Sequence, residues 1–195
     1  MSTSIESTRL SLRSLGIPKL EALLARDLST AQRLLDCIIP GEASLERMPL
    51  KPMLERIRAD PATQPWLIRA TIDRNSRTMI GHIGFHTAPR PPYLATIAPD
   101  GVEMGYTVFA PFRRRGYAKE AALALMHWAF THHNQRCFVL SISPNNPASL
   151  AMAQSLNFTT IGSHIDEEDG PELEFVRRFE HWPPDWRSAT PSSPV

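Results

Sequence analysis

The stretch that decides the fold is residues 102–130, VEMGYTVFAPFRRRGYAKEAALALMHWAF. It begins with a strand-like run that ends at Phe109, and from Tyr117 onward its apolar residues recur at helical spacing. Between the two lie Arg113, Arg114, Arg115 and Gly116. The free amides and positive dipole end of a helix attract anions, and a glycine lets an anion approach the backbone closely. We therefore predict a strand, an anion-binding loop and a helix, although a solvated surface turn also explains the arginines alone.

Shorter strand and helix patterns surround this stretch. Strand patterns cover residues 9–15, 66–72, 78–86, 102–109, 138–142, 158–161 and 173–179, and helical patterns cover 18–39 (with a break), 52–59, 117–130 and 147–156. Prolines between positions 89 and 99 remove main-chain donors and predict a loop there. This order predicts an α/β fold of the α+β type, with a mixed, mostly antiparallel sheet of about six to seven strands and about four helices. We expect one domain over residues 1–182 and a flexible tail over residues 183–195.

Composition and charge exclude several classes of protein. The 195 residues are 42% hydrophobic and carry a net charge of +1, which suits a globular chain and is too little for a general binder of nucleic acid or anionic membranes. The two cysteines, the start of the sequence and the lack of a long apolar run lead us to expect a cytoplasmic protein. His82 and His86 share a strand face, but packing or polar use in the sheet explains them better than a metal site, so we predict no metal.

Several motifs resemble one known family. The pattern Arg113-x-x-Gly116-x-Ala118 after an apolar strand resembles the acetyl-CoA pyrophosphate signature of the GNAT superfamily of acyl-CoA N-acyltransferases. The preceding strand at 102–108 and the closing segment 169–173 resemble the branch that acetylates ribosomal-protein N-termini. The segments 143–149 and 155–158 resemble the family's later Asn-x-x-Ser and Leu-Gly-Phe elements. The resemblance implies a GNAT-like sheet splayed between its fourth and fifth strands. The pantetheine arm of acetyl-CoA would lie in that opening as if it were an extra strand.

The resemblance also implies which residues would hold the acyl donor. Main-chain groups of Val108 and Phe109 would bind pantetheine, and Asn146 would contact the cofactor nearer its thiol end. The residues that would hold the pyrophosphate are Arg113, Arg114, Arg115, Gly116, Tyr117 and Ala118. The implied cofactor is acetyl-CoA, used as the acyl-donor substrate.

Amine acetylation needs a base for the amine, a polarised thioester carbonyl and a proton donor for the departing thiolate. Glu103 is the candidate base because it begins the strand beside the expected cleft; a structural carboxylate at a strand start is the alternative. The family often places a tyrosine seven residues beyond the asparagine as the thiolate's acid, whereas this sequence has Ala153. Ser149 is the nearest substitute, unless its hydroxyl only bonds the helix backbone, and Tyr106 is less well placed.

The function predicted is that of an N-acetyltransferase that moves an acetyl group from acetyl-CoA to a primary amine by direct attack in a ternary complex. The acceptor stays open between a peptide or protein N-terminus and a small-molecule amine. The acidic segment 166–169 would attract a cationic acceptor if it is more than a solvated loop. The main alternative is an acyl-CoA-binding sensor with little turnover, which Ala153 favours; nucleic-acid binding through the arginines is weaker. A homodimer is compatible with the sequence, which does not fix it.

Overall fold

Eight strands and five helices account for most of the residues that the computed structural model describes, namely 4–41, 45–46, 48–167, 170–184 and 186. The strands are β1 (Ile5–Glu6), β2 (Leu10–Ser14), β3 (Arg69–Asp73), β4 (Thr78–Phe85), β5 (Gly101–Val108), β6 (Cys137–Ile142), β7 (Thr159–Asp166) and β8 (Gly170–Arg178). The helices are α1 (Ile17–Leu24), α2 (Leu28–Leu35), α3 (Leu50–Ala59), α4 (Tyr117–His133) and α5 (Pro147–Ser155).

The strands form one sheet in the order β1-β2-β3-β4-β5-β6-β8-β7. Described neighbours are antiparallel except β5 and β6, which pair in parallel only over Gly101 to Glu103 of β5. Beyond Glu103 the two strands part. The predicted mixed and splayed sheet is confirmed, but it has eight strands rather than six or seven. The opening lies between the fifth and sixth strands because Ile5–Glu6 adds a two-residue strand that the sequence pattern did not indicate.

Helices cover both faces of the sheet. On one side, here called the α4 face, α4 and α5 bury residues such as Leu125 and Phe138. On the other, the α3 face, α1 to α3 bury residues such as Leu23 and Ile57. Because successive side chains of a strand point to opposite faces, β5 sends Met104 into the α4-face core and Glu103 towards the α3 face. This alternation separates the two sides of the site described below.

Local chemistry sets the boundaries of the elements around the opening. Helix α4 begins immediately after Gly116, whose φ of 75° is left-handed, and ends at His133, which is followed by Asn134 with a positive φ. The proline-rich segment after β4 is a loop, as predicted, with one short turn at Pro92–Leu94. Leu94 is buried from that loop against Val139 of β6, so the loop covers part of the α3 face. Asn157, which follows α5, has a φ of 55°, a left-handed conformation that asparagine tolerates.

The helical pattern from residue 18 is broken, as predicted. It forms two helices, α1 and α2, because Asp27 caps α2 by accepting a hydrogen bond from the Thr30 amide at 3.0 Å. Trp186, placed in the predicted tail, is buried and stacks on His127 with ring centroids 4.4 Å apart. Residues 187–195 lie outside the described residues. None of the helices in the described ranges combines the length and apolar character needed to cross a membrane.

Candidate active site

The opening between β5 and β6 exposes main-chain groups of β5. The His86 amide donates to the Glu103 carbonyl and the Phe109 amide donates to the Ile80 carbonyl, at 2.9 and 2.8 Å. In an antiparallel pair such bonds recur at every second residue, so the main-chain groups of Tyr106 and Val108 point away from β4. They face the opening because β6 pairs with β5 only as far as Glu103. Of the two residues expected to meet pantetheine, Val108 therefore offers a free amide, whereas the Phe109 amide is already engaged.

The arginine-rich loop forms an anion-binding geometry at the start of α4. The first helical hydrogen bond of α4 runs from the Glu120 amide to the Gly116 carbonyl. The amides of residues 114–119 precede it, and within the described residues they donate to no main-chain or side-chain acceptor. Gly116 carries no side chain over these amides. Arg114 and Arg115 are exposed, and Arg113 donates from its Nε to the Val108 carbonyl at 2.9 Å. The expected pyrophosphate residues thus lie together beside the end of β5.

A buried carboxylate anchors this loop to the sheet. Glu120 accepts hydrogen bonds from the Ser7 hydroxyl at 2.8 Å and from the Arg9 amide and Nε at 2.7 and 2.6 Å. Arg9 also donates to the Arg115 carbonyl at 3.0 Å and stacks 4.5 Å above the Tyr117 ring. Glu120 lies in the first turn of α4, where its negative charge would oppose a bound anion. Because Arg9 neutralises Glu120, the positive end of the helix stays available to an anion. The sequence alone did not indicate this network.

On the α3 face, Glu103 lies at the point where β5 and β6 part. Its side chain is 8% exposed, and its Oε2 lies 3.4 Å from Nδ1 of His86, which is half-exposed. Burial alone would raise the pKa of Glu103, but the hydrogen bond and charge of His86, with contacts from Ser141 and Tyr93, hold it below its usual value. Burial and the charge of Glu103 raise the pKa of the Tyr93 hydroxyl. Glu103 is therefore an ionised carboxylate at neutral pH with a neutral phenol beside it.

A cavity of about 110 Å³ extends from His86 along the α3 face. Pro49 and Met53 line it from the helix side, and His82, His86 and Thr107 line it from the strands. The sequence placed His82 and His86 on one face but gave them only a packing or polar role. His86 instead joins Glu103 to the cavity. This contact depends on the register between β4 and β5, which no local sequence pattern reveals.

Ser149 and Asn146 lie at the other side of the opening, at the start of α5. Asn146 caps the helix, since its Oδ1 accepts from the Ser149 amide at 3.1 Å. Burial raises the pKa of Tyr106, while an interaction with Ser149 works in the opposite direction, which places the two hydroxyl groups close together. The Tyr106 oxygen is buried, and no described atom completes a well-formed hydrogen bond to it. Ala153 lies fully buried in the α4-face core.

The remaining candidates lie outside this arrangement. Cys37 and Cys137 are buried, and burial raises the pKa of each thiol to about 11, as suits packing rather than nucleophilic attack. Asp166 ends β7, while Glu168 and Asp169 of the acidic segment lie outside the described residues. In the described part of the chain, no group of three or more His, Cys, Asp or Glu side chains is arranged to hold a metal ion.

Comparison with solved structures shows the same fold. An acetyltransferase from Agrobacterium tumefaciens is 23% identical, with a TM-score of 0.59 over 91% of this chain and 95% of the other. Ribosomal-protein-S5-alanine acetyltransferase from Vibrio fischeri is 15% identical, with a TM-score of 0.60 over 93% and 100%. RimL, a ribosomal L7/L12 α-N-protein acetyltransferase bound to coenzyme A, is 19% identical, with a TM-score of 0.61 over 91% and 99%.

The sequence comparison is more specific than these likenesses of fold. No curated protein matches the chain. Residues 9–159 match the family described as acetyltransferase (GNAT) domain, and this range includes β5, the arginine-rich loop, α4 and α5. Since the match spans well over half of the chain, this protein belongs to the GNAT acetyltransferase family.

Proposed function

We propose that this acetyltransferase moves the acetyl group of acetyl-CoA to a primary amine by direct attack within a ternary complex. The observation that carries the proposal is the buried Glu103 carboxylate, held by His86 at the point where β5 and β6 part. A charged carboxylate in this position has a clear chemical use, since it accepts the proton that the amine must lose. The acceptor is a small-molecule amine or the N-terminus of a peptide or protein.

Acetyl-CoA binding would use the geometry on the α4 face. The amides at the start of α4 and the side chains of Arg113, Arg114 and Arg115 would hold the pyrophosphate. Pantetheine would follow β5 in the opening, and the Val108 amide would donate to the thioester oxygen as negative charge develops on it. Asn146 caps α5 through its Oδ1, and its side-chain amide nitrogen remains a donor for the cofactor.

The amine would approach from the α3 face. Its nitrogen forms a bond to the carbonyl carbon, a proton passes from nitrogen towards Glu103, and the carbon–sulfur bond breaks as the carbonyl re-forms. Glu103 and Val108 are five residues apart on one strand, a span of about 16 Å, so the proton travels to Glu103 through bridging water rather than directly. The thiolate then takes a proton from the Ser149 hydroxyl, from the adjacent Tyr106 or from water.

The test is calorimetric titration with acetyl-CoA followed by measurement of thiol release against a panel of primary amines. We expect binding and amine-dependent release. In Glu103→Gln, turnover should fall by about a hundredfold or more at low pH and by less at high pH, where the amine deprotonates unaided, with acetyl-CoA affinity unchanged. Glu174→Gln is the matched control, because Glu174 contacts His164 on the neighbouring strand at 3.1 Å and has no part in the proposed reaction.

The alternative is an acyl-CoA-binding sensor with little turnover, and Ala153 in place of the family's tyrosine is the observation that favours it. Binding of acetyl-CoA without thiol release across a broad amine panel would support the sensor. An unchanged pH profile in Glu103→Gln would remove Glu103 as the base while leaving the transferase activity in place.

A further inference from the structure

The cavity on the α3 face has a definite size and wall chemistry. Met53 and Pro49 form an apolar side, and His82, His86, Gly105 and Thr107 form the strand side. A Cβ added to Gly105 would lie 2.5 Å from Nε2 of His86, so the glycine leaves room for the imidazole beside β5. The volume of about 110 Å³ holds three to four groups of the size of water, at roughly 30 Å³ each. It therefore suits a small substituent rather than a long chain.

The described residues that line this cavity include no acidic or basic side chain besides His82 and His86, and Glu103 is connected to it only through His86. His82 is 7% exposed, and its strand neighbours, Ala70 on β3 and Thr107 on β5, do not ionise at physiological pH. Burial lowers the pKa of His82 to about 4, so the imidazole is neutral. Its Nε2 is buried with no hydrogen-bond partner among the described residues. A charged group placed beside His82 would lose water and meet no opposite charge among the described lining residues.

We propose that this cavity receives the substituent of the acceptor amine and that His82 is a specificity-determining residue. The group that enters the cavity, whether an alkyl substituent or the side chain of a first residue, is then uncharged and contains about three or four heavy atoms. This inference rests on the proposed amine acetylation. Because His86 touches both the cavity and Glu103, an amine whose proton passes to Glu103 has its substituent between His86 and His82. Acceptors with a second ammonium group close to the first, such as polyamines and aminoglycosides, are excluded.

The first test compares acceptors with the unmodified protein. Rates of thiol release are measured for isobutylamine and 1,4-diaminobutane, and for amidated tripeptides that differ only in a first residue of Ala, Val, Lys, Asp or Trp. We expect kcat/KM for the small uncharged members of each set to exceed that of the charged or large members by about tenfold or more. Preference for 1,4-diaminobutane or for the Lys peptide overturns the inference but leaves the transferase activity established. Acetyl-CoA binding with no turnover of any amine overturns both.

The second test changes the cavity walls. In His82→Asp, the kcat/KM for 1,4-diaminobutane should rise by about tenfold or more relative to that for isobutylamine. In His82→Asn, the original order of the acceptors should be kept. Met53→Ala should favour larger substituents, and Met152→Ala, which truncates a similarly buried methionine on the α4 face, should leave the order unchanged. An equal loss of kcat/KM for every acceptor in His82→Asp and in Met53→Ala would mean that these two residues have a purely structural role, and it would overturn the inference. If His82→Asp does not fold, Met53→Ala and the acceptor panel still decide the question.

Discussion

Replacing Gly116 with alanine tests the anion site at the start of α4. Gly116 has a φ of 75°, and holding an L-residue in that region costs about 1–2 kcal/mol. Gly170 is a matched control, because its φ is 78° at the first residue of β8 and an added Cβ would meet nothing within 4 Å among the described residues. Both substitutions should therefore lower Tm by a similar amount, about 2–8 °C for a chain of this size.

Only Gly116→Ala should also weaken coenzyme A binding. The strained alanine relaxes by rotating the amides that follow it, and losing one hydrogen bond to a charged acceptor costs about 1.5–3 kcal/mol, or about a ten- to hundredfold rise in Kd. Titration calorimetry with coenzyme A and with pantetheine, which lacks the pyrophosphate, measures the effect. Affinity for pantetheine should be the same in both variants. If Gly116→Ala loses stability like Gly170→Ala but binds coenzyme A normally, the pyrophosphate does not bind at this loop.

Two further predictions concern stability. His82 stays unprotonated down to about pH 4 in the folded protein but takes up a proton near pH 6.5 when unfolded. The free energy of unfolding therefore falls as the pH is lowered from 6.5 to 4, and this residue accounts for about 3 kcal/mol of the fall. Urea denaturation of His82→Gln between pH 7 and 4 should show a flatter profile than the unmodified protein, and an equally steep one would contradict the cause. Glu120→Ala strands the Ser7 and Arg9 donors and should cost about 3 kcal/mol. By contrast, Glu21→Ala breaks a 2.6 Å ion pair with Arg58 that is about half exposed and should cost less than about 1 kcal/mol by the same denaturation measurement.

The parts of the fold that the sequence predicts well are those set by local chemistry. Helix α4 and the loop before it follow from apolar spacing and from one glycine in a left-handed conformation. Strands β7 and β8 are less predictable: the patterns at 158–161 and 173–179 correspond to Thr159–Asp166 and Gly170–Arg178. Most of β7 is exposed at the edge of the sheet, so burial imposes little alternation on its sequence.

The candidate site divides in the same way. The arginines and Gly116 lie within four consecutive positions, so the sequence shows them together. The contact between His86 and Glu103 joins the two ends of a loop that contains several prolines, and pairing across such a loop depends on packing. The cavity wall from α3 depends on where that helix rests on the sheet. Local sequence patterns predict neither the contact between His86 and Glu103 nor the position of α3 on the sheet.

Successive side chains of β5 point to opposite faces of the sheet, and this arrangement bears on how the acetyl group is transferred. Glu103, Gly105 and Thr107 face α3, while Met104, Tyr106 and Val108 face the opposite side, so acceptor and cofactor would approach the strand from different faces. The strands stay paired through Glu103, and the passage between the faces opens only beyond it. An acyl-enzyme route would need a reactive nucleophile in that passage. Cys137 instead pairs with Gly101 in the closed part of the sheet, and its thiol is held protonated by burial. The proposed meeting of both substrates at one opening, with no cysteine thiolate among the described residues there, favours direct transfer from sulfur to nitrogen.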